Sequence, residues 1–98
     1  MYFAVVRRPG PTWDLDRPMQ EQAEWPEHAS FMNALAGERF IVLGGPVGDG
    51  DRFMFLIEAK SDDEIRSRLA EDPHTISKRL LLASIEPWQL VLGDLAAS

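Results

Sequence analysis

The chain has 98 residues, and its 10 Lys+Arg against 16 Asp+Glu give a formal net charge of −6 at pH 7. With 45% hydrophobic and 27% charged residues, the composition is typical of one globular domain over residues 1–98 and excludes a disordered chain. The absence of Cys excludes disulfides, thiolate nucleophiles and Cys-based zinc sites. No apolar run approaches the roughly 20 residues of a membrane span, and apolar residues precede basic ones at the N-terminus, the reverse of a secretory signal. We therefore expect a cytoplasmic protein that binds no membrane.

The first part of the chain predicts a strand, a long loop and a helix. Residues 2–7 are β-branched and aromatic, as strands prefer, and residues 8–18 hold three prolines and therefore form a loop. Trp13 in this loop is an apolar side chain that something must cover. Residues 19–36 carry apolar side chains at helical spacing, but Pro26 requires either that the helix begins there or that an earlier turn joins it with a kink. We favour the kinked helix.

The second part predicts two strands, a short helix and a last strand. Strands over residues 39–44 and 52–59 are joined by a Gly- and Asp-rich connection. Ser61 opens a capping box, and the helix that follows runs to about Glu71. A final strand is expected over residues 85–93.

The resulting order is β-α-β-β-α-β, which indicates an α+β protein with a ferredoxin-like split unit. Both faces of the predicted strands are apolar: Phe53, Phe55 and Ile57 alternate with Met54 and Leu56, and the strand of residues 85–93 behaves likewise. Two helices cover only one face of the sheet, and soluble monomers rarely leave a large apolar patch exposed. We therefore expect a homodimer in which the two sheets pack against each other.

The acidic balance argues against nucleic acid, because Lys and Arg side chains dominate binding to phosphates. An RNA-binding sheet on the same fold would use exposed aromatic residues such as Phe53 and Phe55. The net charge of −6 opposes that interpretation, and we expect no nucleic-acid partner.

His28 and Asp72 are the candidate catalytic residues. His28 lies on the apolar face of the predicted first helix, where it is either a buried histidine bonded to the backbone or a proton-transfer group. Asp72 precedes Pro73 and, with Glu71, places negative charge at a helix C-terminus, where anions are unfavourable. In one interpretation, Asp72 forms a turn at the helix end. In the other, Asp72 is a carboxylate that orients the ring of His28 and stabilises its protonated form.

Several other residues are candidates for shaping or completing a site. With His28, Asp72 and Glu24, His74 would make a two-His carboxylate metal set, but this spacing fits no ligand motif, and we predict no metal. Alternatively, His74 is an exposed loop residue. Gly44, Gly45 and Pro46 either permit close backbone approach at a pocket or form an ordinary hairpin exit.

The motifs of residues 25–32 and 40–46, with the Asp72-Pro73 and Pro87-Trp88 steps, resemble the YCII-related (YciI-like) domain family. The resemblance covers about residues 2–93, and the order and spacing of its short motifs carry it. It implies the dimeric α/β-barrel superfamily, in which two βαββαβ protomers pair their sheets into a barrel.

The family pattern pairs the histidine of the first helix with the aspartate of the Asp-Pro step, which implies that His28 and Asp72 form an active-site pair. Some relatives act on ring products of aromatic breakdown, among them dehydrochlorinase-like members and, in the wider superfamily, muconolactone isomerases. This sequence departs from the pattern at Pro26 and at His74, where such proteins often carry a larger apolar residue.

We therefore predict a small lyase- or isomerase-type enzyme without a cofactor, acting on a small cyclic or aromatic-derived substrate. His28 moves a proton and Asp72 orients it, while a pocket of Trp13, Trp25, Gly44, Gly45, Pro46, Pro73 and His74 binds the small-molecule ligand. The alternative is a non-catalytic module that binds a small molecule or a protein.

Overall fold

A computed structural model describes residues 1–97 and contains a four-stranded antiparallel sheet with its helices. The strands are β1 (Tyr2–Pro9), β2 (Ile41–Val47), β3 (Arg52–Glu58) and β4 (Leu80–Pro87). The helices are α1 (Trp25–Gly37), α2 (Asp62–Leu69) and α3 (Pro73–Ile76), and 3₁₀ turns lie at Met19–Glu21 and Asp94–Ala97. The strand order β2-β3-β1-β4 is that of a ferredoxin-like unit. None of the described helices combines the length and the apolar content that crossing a bilayer demands.

The helix predicted to begin at residue 19 with a kink begins later, at Trp25, so the kinked alternative is wrong. Pro26 lies in the first turn of α1, where its missing N–H breaks no intrahelical hydrogen bond. The preceding Glu24 has a left-handed backbone, with φ 64°, which separates α1 from the 3₁₀ turn. The buried Gln22 side chain holds the long loop in place through hydrogen bonds to the backbone of Asp14 and Arg17.

The edge strand β2 is longer and later than predicted. It contains Gly44, Gly45 and Pro46, so these residues are not a hairpin exit. Pro46 is compatible with a strand because β2 has only one neighbour, β3, in the sheet. The strand carries an irregularity between Ile41 and Leu43, so these two residues face opposite sides of the sheet, paired with Ile57 and Leu56.

The last strand was predicted too far along the chain. It spans Leu80–Pro87, and the apolar run that begins at Leu80 starts the strand rather than preceding it. Pro87 ends the strand, because proline has no backbone N–H to donate to a neighbouring strand. Trp88, Leu90 and Leu92 therefore lie outside the sheet, and their expected alternation within a strand is wrong.

The core lies between the helices and one face of the sheet. Phe3 and Val5 of β1 and Ile57 of β3 pack there against Leu35 of α1 and Ile65 of α2. The cap predicted for α2 is present, because the Ser61 hydroxyl accepts a hydrogen bond from the Glu64 amide at 3.2 Å.

The opposite face of the sheet has no helix on it. Paired residues share a face, and Leu43 and Met54, which pair with Leu56 and Gly45, stand on this outer face. Leu43 is 60% exposed and Met54 37% exposed, and the adjacent Trp88 is 41% exposed. An apolar outer face, expected from the alternation in β2 and β3, is thus present; Leu56 on it is buried, while Leu43, Met54 and Trp88 remain partly exposed.

Candidate active site

Asp72 begins a helix, which corrects its predicted place at a helix C-terminus. Pro73 disfavours helical geometry at Asp72 and suits the first position of a helix, so α2 ends and the single turn of α3 starts at this step. The Asp72 side chain accepts a hydrogen bond from the His74 amide at 2.9 Å and so caps α3. A carboxylate at a helix N-terminus interacts favourably with the helix dipole. The unfavourable interaction expected for Asp72 at a helix C-terminus is therefore not present.

The structure brings His28 and Asp72 into direct contact. His28 lies on the face of α1 that turns toward the sheet, and its Nδ1 lies 2.8 Å from Oδ1 and 2.9 Å from Oδ2 of Asp72. Asp72 is fully buried and His28 is 7% exposed. The two side chains are 44 residues apart in the chain, so only the packing of α1 beside α3 brings them together.

A third group, Arg7, completes this buried cluster. Its Nη1 donates to Asp72 Oδ2 at 2.7 Å and its Nη2 donates to the Thr75 hydroxyl at 2.6 Å. Arg7 is 1% exposed, on the same face of β1 as Phe3 and Val5. A register shift between Val6 and Arg7 in the pairing with β4 lies where this side chain enters the site. From the sequence alone, Arg7 and Arg8 at the end of the first strand indicate either a solvated strand end or a partner for a ligand carboxylate, whereas the carboxylate that Arg7 meets is Asp72 of the chain itself.

The contacts of Asp72 fix its charge and the tautomer of His28. Burial by itself raises the pKa of Asp72, but hydrogen bonds from His28, Arg7 and the His74 amide outweigh it, and the pKa lies below its ordinary value of 3.8. An ionised carboxylate only accepts hydrogen bonds, so His28 donates from Nδ1. The unprotonated nitrogen of neutral His28 is then Nε2.

His74 is buried rather than exposed in a loop, which corrects the alternative offered for it. Its ring stacks on that of His28, with centroids 4.1 Å apart and planes 7° apart. Its Nε2–H donates to the Ala23 carbonyl at 2.9 Å. Burial, and after it the charge of His28, lowers the pKa of His74 below 6.5, so His74 is a neutral ring at pH 7.

A pocket of about 280 Å³ opens beside His28. Its walls are mostly apolar and aromatic, and the rings of Trp13 and Phe53 lie 5.7 Å apart. The predicted residues Trp13, Trp25, Gly44, Gly45, Pro46 and His74 line it with His28, whereas Pro73 and Asp72 lie behind the histidines and do not. Sequence reasoning missed the other lining residues, which are Met19, Met32, Phe53, Phe55 and Leu80.

Gly44 leaves the room that this pocket wall needs. It pairs with Phe55, and a Cβ at Gly44 would overlap the Phe55 ring and lie 2.9 Å from the Met54 carbonyl oxygen. The absent side chain therefore lets the ring of Phe55 lie against β2. Among residues 1–97, no group of three or more His, Asp or Glu side chains is arranged to hold a metal ion.

Comparisons with known proteins give a similarity among solved structures. No protein-family model matches the chain, and no curated protein matches it either. Among solved structures, the fold is similar to 5-chloro-2-hydroxyhydroquinone dehydrochlorinase (TftG) from Burkholderia phenoliruptrix AC1100, in complex with 2,5-dihydroxybenzoquinone. The TM-score is 0.55 at 27% sequence identity, over 90% of this chain and 93% of that one. The similarity supports the fold superfamily expected from the sequence, while the narrower resemblance to the YCII-related family has no family model behind it.

The charge of Asp72 makes stability depend on pH. A carboxyl group whose folded pKa is lowered stabilises the protein above its unfolded pKa, and this contribution is lost as the pH falls through the folded value. We expect Asp72→Asn to lower the free energy of unfolding at pH 7 by about 3–5 kcal/mol, because Arg7 is left buried without its anion. Urea unfolding from about pH 7 to about pH 2 measures both effects.

In that titration the wild type should lose more stability than Asp72→Asn below about pH 4. Asp49→Asn, at an exposed turn, is the control and should follow the wild type throughout. Parallel curves for the wild type and Asp72→Asn would contradict the assignment of an ionised Asp72.

Substitution at Gly44 tests the pocket wall. Gly44→Ala forces the Phe55 ring off β2, and we expect a loss of about 1–3 kcal/mol in the free energy of unfolding. Gly45→Ala is the matched control, because a Cβ there meets nothing within 4 Å. Equal urea midpoints for the two variants would show that Phe55 does not need this space.

Proposed function

We propose that the chain is a lyase-type enzyme in which His28 transfers a proton on a small hydroxylated ring. The observation that carries this proposal is the arrangement of the His28 ring: Nδ1 is held by an ionised carboxylate, and His28 lines an apolar pocket. Since Nδ1 is committed to Asp72, Nε2 is the nitrogen left to meet a ligand. An imidazole held in this way is a general base and acid suited to neutral pH.

The pocket supports the substrate class. Its volume of about 280 Å³ is at the lower end of ligand sites and suits a single ring. Trp13, Trp25 and Phe53 provide flat apolar surfaces against which an aromatic or quinonoid ring packs. The similarity to TftG, a dehydrochlorinase solved with 2,5-dihydroxybenzoquinone, points to the same kind of ligand.

The reaction that suits these groups is loss of HX from a halogenated hydroxylated ring. His28 Nε2 takes the proton of a ring hydroxyl and delivers it to the ring carbon that bears the halogen, so an O–H bond breaks and a C–H bond forms. Nε2 of His28, unprotonated again, takes the proton of a second hydroxyl, and halide leaves with the electron pair of the C–X bond. The product is a quinone, and no external oxidant is needed because the C–X carbon is reduced as the ring is oxidised.

Asp72 and His74 act on His28 rather than on the substrate. Asp72 keeps the proton of neutral His28 on Nδ1 and still accepts a hydrogen bond from Nδ1 in the imidazolium that forms during the transfer. His74 remains neutral and stacks on the ring, which limits its rotation. The alternative, a binding module without turnover, would use the same pocket but leave the His28 Nε2 without a chemical role.

His28→Asn tests the proton transfer, because the amide N–H of Asn can still donate to Asp72 while Nε2 is lost. We expect the turnover of halogenated hydroquinones, followed by halide release and quinone absorbance, to fall by about 10²–10⁴-fold with the melting temperature nearly unchanged. In D₂O the wild type should place deuterium on the ring carbon that loses halogen, and the variant should not. A wild type that binds these rings, seen by quenching of Trp fluorescence, but neither releases halide nor exchanges deuterium would be a binding module.

We also propose that the protein is a homodimer formed through the outer face of the sheet. Leu43, Met54 and Trp88 expose apolar side chains there, and a second copy of the same face covers them with isologous symmetry. The core that α1 and α2 share with the sheet lies on the other face, so neither of these helices covers the three side chains.

Leu43→Lys tests this interface. We expect the wild type to scatter light as a particle of twice 11.1 kDa, and Leu43→Lys to scatter as one of 11.1 kDa, because a buried unpaired charge is costly. Leu15→Lys is the control, since Leu15 is 88% exposed in the loop after β1 and should leave the dimer intact. A monomeric wild type at micromolar concentration would refute the proposal.

A further inference from the structure

Arg7 is the charged group of the site for which the proposed reaction has no step. It is 1% exposed, while the next residue, Arg8, is exposed to solvent. Arginine is almost never buried this completely unless it is paired. The guanidinium bonds two partners on the α3 turn, Asp72 and Thr75, which fixes its plane as well as its charge.

The charges around His28 balance only when its ring is neutral. Arg7 and Asp72 form a buried ion pair 2.7 Å long, and their charges cancel. The other titratable group that faces His28 is His74 from α3, which is neutral at pH 7. Arg79, before β4, acts on His74 and pairs with Glu24 of the α1 N-cap at 3.8 Å. Protonation of His28 therefore adds one net positive charge to a buried cluster.

We propose that Arg7 is a positioning residue that keeps the His28–Asp72 pair in its base form, with Nε2 of His28 unprotonated at neutral pH. The inference rests on the proposed function, in which Nε2 must accept a proton first. By neutralising Asp72, Arg7 separates the two effects of the carboxylate: Asp72 still orients the ring, but it draws a second proton onto His28 much less strongly. Without Arg7, the imidazolium is the only cation left beside a buried carboxylate.

Removal of the guanidinium charge tests this role. In Arg7→Met we expect protonation of His28 to become easier, with the pH at which its ¹⁵N NMR signals change moved upward by about 1–3 units, the effect of one close opposite charge. The acid limb of the kcat/KM profile should move by the same amount, which lowers kcat/KM on that limb by about 10–10³-fold. Arg7→Lys should restore most of the His28 titration and most of kcat/KM, because lysine returns the positive charge.

Two further variants serve as controls. Arg8→Met removes an exposed neighbouring charge and should leave the His28 titration unchanged. Thr75→Val removes the second anchor of the guanidinium but keeps the cation, so its His28 titration should also match the wild type. If Arg7→Met does not fold, Arg7→Gln removes the same charge but keeps an N–H donor toward Asp72, and an unshifted His28 titration in it overturns the role of Arg7. A shift in Thr75→Val as large as that in the charge-removing variant would mean that geometry, not charge, is what Arg7 supplies.

The NMR titration separates failure of this inference from failure of the proposed function. A folded Arg7→Met whose His28 titrates as in the wild type overturns the role of Arg7, whatever the activity. A wild type without turnover, whose His28 nevertheless responds to Arg7→Met as expected, overturns the proposed enzyme and leaves the charge coupling standing.

Discussion

The site depends on one buried carboxylate that satisfies three donors. Asp72 accepts from the guanidinium of Arg7, the imidazole of His28 and the amide of His74, which come from a strand, a helix and its own capped turn. Burial of an isolated carboxylate costs several kcal/mol, and here hydrogen bonds from these donors offset that cost. The same bonds fix the direction of the His28 ring, so the stability of this part of the fold and the geometry of the pocket have a common origin.

The fold places the polar cluster and the apolar pocket on two sides of the same histidines. Asp72 lies behind His28 and His74, and the pocket of Trp13, Trp25 and Phe53 lies in front. A ligand in the pocket therefore meets imidazole and apolar surface but no carboxylate. In such an environment a proton moved between substrate and His28 is weakly screened by solvent, which strengthens the effect of the charges behind the ring.

Several features were predictable because they rest on local patterns. The β-branched run of β1, the Ser61 cap and the apolar face that carries His28 all follow from spacing or turn chemistry. The Asp72-Pro73 step was recognised as a helix stop, yet an Asp at the N-cap with Pro next is equally a helix start. The single turn of α3 is too short for helical periodicity, so nothing beyond this pair of residues marked it.

Arg7 was missed for a different reason. Arg7 and Arg8 are the same residue type, and only strand parity separates the buried one from the exposed one. Arg7 is in phase with Phe3 and Val5, a signal that the sequence did contain. Its partner could not be identified, because Asp72 lies 65 residues away and is brought close only by the packing of α3 near β1. The strand β4 was predicted too late in the chain because Pro87 was interpreted as lying near the start of the strand, whereas it is the last residue of β4.

The separation of Arg7 and Asp72 in the sequence constrains when their cluster can form. The Arg7–Asp72 contact closes a loop of 65 residues, which is entropically costly and cannot form from either end of the chain alone. The cluster is therefore complete only when β1, α1 and the α3 turn are packed together. A nascent or truncated chain that lacks the segment after α2 has neither Asp72 nor His74, so nothing from that segment can hold the Nδ1 of His28 or stack on its ring.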